Sequence, residues 1–191
     1  MLNQLVLVDP EVADYAAHAV AVGQIADRLE ALPAREGSVA NLAGGLRPFD
    51  HMRLNPWSGT VNAVAAPVEL TFFDGPDGAW TEGSVTFGAA YEGPPGHVHG
   101  GCVAGMFDEL LGRSQLGAGF TGTLTIRYSR PTPLLRRLEL RAWIDRVEGR
   151  KKWVKGTCSL DGEVLSEAEG LFIAPRGGAS IEAITAAVNR R

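Results

Sequence analysis

The last third of the chain most constrains its fold. "FTGTLTIRYSRP", "RRLELRAWIDRV", "KKWVKGTCSL" and "EVLSEAEGLFIAP" follow one another, and only "EGR" and "LDG" separate the last three. Connections that short join antiparallel neighbours, because a parallel pair needs a crossover of a dozen residues or more. Asp161-Gly162 is the stronger turn signal, since both residues accept the left-handed backbone of a tight hairpin. In the first run Leu124, Ile126 and Tyr128 alternate with Thr123, Thr125 and Arg127. One face is therefore apolar and the other polar, and the apolar face needs a cover.

The cover lies just upstream. From Gly100 to about Gly117, Val103, Met106, Phe107, Leu110 and Leu111 share one broad face at helical spacing. Before that segment, "VELTFFD", the turn "GPDG" and "AWTEGSVTFGAAY" predict a hairpin. The order is hairpin, buried helix, then four antiparallel strands, which predicts an α+β sheet wrapped on a helix. Further upstream, Asp9-Pro10 makes a helix start, and Val12, Tyr15, Ala19, Val22, Ile25, Leu29 and Leu32 form an apolar stripe that Pro33 ends. The stripe predicts a helix packed on the domain. Residues 33–66 have no sustained period, with Phe49 and Trp57 as anchors, and the tail from Ser180 reads as a short helix with a basic end. The expected organisation is an N-terminal helix and connection over 1–66, the sheet-and-helix domain over 67–175, and a tail over 176–191.

Composition narrows the partners. A net charge of −4 over 191 residues argues against a nucleic-acid or anionic-membrane surface. Cys102 and Cys158, the only cysteines, fit free thiols in a reducing compartment. The N-terminus has no targeting pattern and no run reaches the length of a membrane span, so a soluble cytoplasmic protein is expected.

Within the apolar helix stands an acidic pair, Asp108 and Glu109, behind the turn "YEGPPGHVHGG". An unpartnered buried carboxylate is costly, so the pair asks for a reason. Asp108 lies about 200° from both Met106 and Leu110, so it points away from the most apolar line. Glu109, rotated about 100° from it, reads as a salt-bridged or solvated neighbour. Gly100 and Gly101 let a ligand approach the helix N-terminus, whose unpaired N–H groups make a ready oxyanion hole; tight packing of helix on sheet is the alternative use of the same glycines. Asp108 is nine residues past His99, about 13.5 Å of helix rise. If both ends serve one reaction centre, the second end must come from another copy, and two antiparallel helices in a twofold dimer would make two such sites. A Cys102–His99 nucleophile and a metal held by His97, His99 and His51 are weaker readings, because Cys102 packs like a small apolar residue and no carboxylate or thiolate stands at ligand spacing.

"EGPPGHVHGG", then Asp108, then "TGTLTIRYSRPTPL" resemble the hot-dog-fold acyl-CoA thioesterases, in particular the group with the phenylacetyl-CoA and mammalian mitochondrial long-chain enzymes. The similarity spans roughly residues 67 to 174. It implies a helix wrapped by an antiparallel sheet, a homodimer or a dimer of dimers, an acyl-CoA substrate, a place in fatty acid metabolism and no cofactor. By this resemblance His99 and Gly100 hold the thioester carbonyl, Asp108 is the catalytic carboxylate and Thr121 positions the water or the carboxylate. Gly101 adds to the substrate site, and Arg130, Arg136, Arg137, Lys151 and Lys152, clustered near strand ends, are expected to meet the phosphates of coenzyme A. Phenylacetyl-CoA members carry asparagine six residues before the histidine of the His-Gly-Gly element, where this chain has Gly93, so its pattern is nearer the long-chain group. The other function considered is a noncatalytic acyl-group binder on the same scaffold.

Overall fold

A computed structural model describes residues 15–32, 55–60, 62, 64–75, 78–115 and 119–176. A helix α1 (Tyr15–Glu30) comes first, followed by strands β1 (Glu69–Gly75) and β2 (Gly78–Thr86), then helix α2 (Gly100–Ser114), then β3 (Phe120–Tyr128), β4 (Arg137–Glu148), β5 (Lys151–Leu160) and β6 (Glu163–Ile173). The strands form one six-stranded antiparallel sheet in the order β1-β2-β4-β5-β6-β3. Chain order would put β3 beside β4. Instead β3 joins the far side of β6, because α2 sits between β2 and β3 and carries the chain across the sheet.

The alternation seen in the sequence is what closes the core. Val103, Met106, Phe107, Leu110 and Leu111 of α2 are buried against Val85, Leu138, Leu140, Ala142, Val154, Cys158, Ala168 and Phe172 of the sheet. At ~1.5–3 kcal/mol per buried side chain, those five helix residues contribute on the order of 10 kcal/mol as an upper bound. Gly156 and Gly170 make the close approach possible, since a Cβ at either would press on Leu111. The β5–β6 hairpin turns through Asp161 and Gly162, both at positive φ (52° and 83°), as the Asp-Gly pair predicts. The sheet therefore wraps one helix, the arrangement the resemblance implied.

Two expectations need correction. The helix after Gly100 ends at Ser114 rather than near Gly117. The α1 stripe is not packed on the domain: residues 17–32 are exposed, Val22, Ile25 and Leu29 included, and no described residue covers them. The sheet already spends its inner face on α2, and its outer face carries Arg127, Arg141, Lys155 and Glu169, which offer an apolar stripe little to bury against. The Asp9-Pro10 start, Val12, Phe49, His51 and the tail from Ser180 lie outside the described residues. No helix among the described residues is long and apolar enough to cross a membrane.

Candidate active site

The turn before α2 is fastened from several sides. Glu92 accepts the Gly96 N–H at 2.6 Å, the Gly93 N–H donates to the His97 carbonyl at 2.9 Å, and the His99 N–H donates to the Tyr91 carbonyl at 2.8 Å. Gly96 takes φ +74°, which a side chain there would resist. Gly93 backs onto the histidine so closely that a Cβ would stand 2.7 Å from the His99 Cα. An asparagine at this position does not fit without a shift of the turn.

This turn decides which amides of the helix N-terminus stay open. His99 is the N-cap, and its Nδ1 accepts the Gly101 N–H at 3.0 Å. Its carbonyl accepts the Cys102 and Val103 N–H groups at 2.8 and 3.2 Å. The Gly100 N–H meets no acceptor among the described residues, so it is the one first-turn donor left for a ligand, at the positive end of the helix dipole. An imidazole that accepts at Nδ1 carries its neutral proton on Nε2. A cleft of about 440 Å³ opens at this point, lined by His97, Val98, Gly100, Val103, Tyr128 and Arg130 among others. Tyr128 donates its hydroxyl to the Gly100 carbonyl at 3.0 Å and ties β3 to the same end of α2.

Asp108 is half-buried eight residues further along, about 12 Å of rise from Gly100. Thr121 Oγ1 donates to Asp108 Oδ1 at 2.9 Å, and Oδ2 meets no donor among the described residues. The threonine reaches the helix through a bulge. Thr121 pairs with Phe172 and Thr123 with Leu171, which leaves Gly122 as the extra residue. In a regular strand Thr121 would share the outer face with Thr123 and Thr125. The added residue puts it on the helix side with Leu124 and Ile126.

Glu109 is buried and has donors on both oxygens. Asn55 Nδ2 donates to its Oε2 at 2.7 Å, the Ser58 hydroxyl donates to its Oε1, and Arg113 lies 3.5 Å away one turn on. Of the two expectations for Glu109, salt-bridged or solvated, the first holds, with Arg113 as the partner; Asn55 and Ser58 were missed, since nothing local in the sequence connects them with position 109. Trp57, expected as an anchor, is seated against Gly105, where any Cβ would collide with its indole.

The five basic residues do not form one cluster. Arg136 and Arg137 lie at the start of β4, beside the end of β5, whereas Lys151 and Lys152 open β5 at the other end of the sheet. Antiparallel neighbours put successive strand starts at opposite ends. Several of the charged heads are also engaged: Arg130 with Glu163 at 2.7 Å, Arg136 with Asp161 at 2.9 Å, and Arg137 with the Ser84 hydroxyl at 3.1 Å. Lys152 Nζ donates to the Gln115 carbonyl at 2.6 Å, a cation at the helix C-terminus. Of the five, only Arg130 lines the cleft.

The nucleophile reading loses ground, and the metal reading, whose His51 lies outside the described residues, is left with His97 and His99. Cys102 is half-buried and burial pushes its thiol up, away from the thiolate a nucleophile needs. His97 turns Nδ1 to the Pro95 carbonyl and His99 to the Gly101 amide, and among the described residues no three metal-ligating groups converge.

No protein-family model matches the chain. It is 41% identical over 88 residues to the acyl-coenzyme A thioesterase THEM4 of Bos taurus, a match covering 45% of this chain and 37% of that protein. The THEM4 of Xenopus laevis is 36% identical over 93 residues, again 45% of this chain and 41% of the relative. The chain thus spans about two-fifths of the curated relatives it matches. Protein RHA08564, a thioesterase superfamily protein of known crystal structure, superposes with a TM-score of 0.72 at 35% identity, over 90% of this chain and 84% of that one.

Proposed function

We propose, from the premise that this chain belongs to the thioesterase superfamily, that it hydrolyses an acyl-CoA thioester to the free acid and coenzyme A. The observation that carries the reading is a division of labour along α2. Its N-terminus holds one open backbone donor, Gly100 N–H, and its outward flank holds a carboxylate, Asp108, oriented by Thr121 and with one oxygen unengaged. A donor aimed at the carbonyl oxygen stabilises the tetrahedral oxyanion. The carboxylate either takes a proton from water, whose oxygen then adds to the carbonyl carbon, or adds to that carbon itself to give a mixed anhydride that water opens. In both routes the carbon–sulfur bond breaks when the oxyanion collapses, and the thiolate of coenzyme A leaves.

The two groups stand about 12 Å apart on one helix, so the working site combines Gly100 of one chain with Asp108 of a second in a homodimer. The free edge of β3, with Phe120 and Tyr128 both more than half exposed, supports a pairing surface there. Arg130, at the cleft, is the basic residue best placed for the phosphates of coenzyme A. Gly93, standing where phenylacetyl-CoA members carry asparagine, supports a long-chain rather than an aryl-acyl substrate. The domain over 67–175 carries this chemistry.

The test is turnover of an acyl-CoA panel of graded chain length by the purified protein and by Asp108→Asn. The expected outcome is hydrolysis by the wild type and a fall in kcat of at least ~10²-fold in the variant, with binding retained. Binding without turnover in the wild type would make the protein a noncatalytic acyl-CoA binder instead.

A further inference from the structure

We propose that residues 55–58 brace the central helix and set the position of Asp108, which makes Glu109 a positioning residue. The inference rests on the reading of Asp108 as the reacting carboxylate. It begins from the contrast between the two sides of α2. Inward, large side chains hold the helix in the sheet, but its outward line is Gly101, Gly105, Asp108 and the flank of Glu109, with little bulk to resist a turn about the helix axis. Residues 55–58 supply that resistance. Asn55 Oδ1 accepts the Trp57 and Ser58 N–H groups at 2.7 and 3.3 Å, which folds the segment into a compact turn. The Asn55 amide and the Ser58 hydroxyl then both donate to Glu109, and the indole of Trp57 fills the surface that Gly105 leaves bare. Arg113 closes the group from the next helical turn, its Nη1 3.2 Å from Ser58 Oγ and its guanidinium 5.9 Å from the centre of the Phe72 ring of β1.

Asp108 and Glu109 are about 100° apart on the same turn. Holding Glu109 on the brace side fixes Asp108 on the β3 side, where Thr121 meets it. A side-chain group stands about 5–6 Å from the helix axis, so a rotation of about 20° would move the Asp108 carboxylate by about 2 Å. A displacement of that size breaks a 2.9 Å hydrogen bond and costs a reacting group its alignment.

The experiment is a double-mutant cycle on kcat between Asn55→Ala and Thr121→Ala, with saturating acyl-CoA and the full chain. Each single change is expected to lower kcat about tenfold with KM within about twofold, because both act on the placement of one carboxylate. The double variant should then lose about 20-fold, not about 100-fold. A merely structural role for the brace leaves the losses multiplicative, and a double variant near 100-fold overturns the proposal. Should Asn55→Ala fail to fold by circular dichroism, Ser58→Ala replaces it under the same criterion. Glu109→Gln, which keeps an acceptor for Asn55 and a donor for the Ser58 oxygen, should stay within about threefold of wild type, whereas Glu109→Ala should match Asn55→Ala. An equal loss in Glu109→Gln and Glu109→Ala would make charge the operative property and overturn the brace. Turnover that Asp108→Asn abolishes is the premise of the cycle. If the wild type turns over nothing, the functional reading has failed on its own, and hydrogen exchange of α2 amides near position 109 then tests the brace: unchanged protection in Asn55→Ala overturns it.

Discussion

Asp108 and Glu109 are neighbours in sequence, on one helix turn, and carry the same functional group, yet their surroundings differ in kind. Glu109 is buried with three partners, two of them donors from a segment more than fifty residues away. Asp108 is half-buried with one donor and a free oxygen. A buried carboxylate with donors on both oxygens has little to offer a proton or a carbonyl carbon, whereas one held by a single threonine on one oxygen is positioned and still available. The proposed chemistry uses the less satisfied of the pair.

The largest expected effect breaks or sustains the claim that the open side of Asp108 faces a second chain. Asp108→Asn and Gly100→Pro, which deletes the open amide, should each be inactive as homodimers. Mixed in equal amounts with exchange, half the molecules are heterodimers with one intact site in two, so about a quarter of wild-type activity should return. Native mass spectrometry establishes that heterodimers form; inactivity in their presence would put both groups on one chain.

Next comes a contrast in stability. Glu109→Ala leaves the Asn55 amide and the Ser58 hydroxyl without their acceptor and Arg113 without its ion pair, and should cost about 1–3 kcal/mol by urea denaturation. Asp108→Ala removes a half-buried group with one bond and should stay within about 0.5 kcal/mol of wild type. Equal losses would erase the distinction between the two flanks. Thr121→Ala comes third: it removes the single orienting bond and should lower kcat by the equivalent of about 0.5–1.5 kcal/mol, well short of the aspartate change. An unaffected rate would mean that the bulge at Gly122 serves the sheet alone.

The last prediction is a control on the inner face of the same fold, where the effect appears only at alkaline pH. Burial pushes the Cys158 thiol up to about 12 from 9.0, against a weaker opposite pull from the facing Ser166. The neutral thiol is favoured in the folded state, so this contribution to stability is complete below pH 9 and is lost as pH rises from there to about 12. The slope reaches ~1.4 kcal/mol per pH unit at most, and Cys158→Ala should flatten that part of the stability curve. An unchanged alkaline slope would contradict the burial of this strand position.

Periodicity alone determined the scaffold. The alternation around Ile126, the Asp161-Gly162 turn and the helical spacing from Val103 to Leu111 are local patterns, and each acts through backbone geometry within a few residues, so each can be read without knowing what lies across the core. The glycines before the helix and the acid inside it were legible for the same reason. Tertiary structure alone decided which groups meet. The one-residue bulge at Gly122 turns Thr121 toward Asp108, the pairing of β3 with β6 leaves β3 at an edge, and the antiparallel course of β4 and β5 sends Arg136 and Lys151 to opposite ends of the sheet. The apolar stripe of α1, a reliable sign of a helix, carried no information on what would cover it. Glu109 is the clearest case. Its partners Asn55 and Ser58 stand 54 and 51 residues upstream in a segment without periodicity, and the hydrogen bonds that bury its charge exist only once sheet and helix have brought that segment over Gly105.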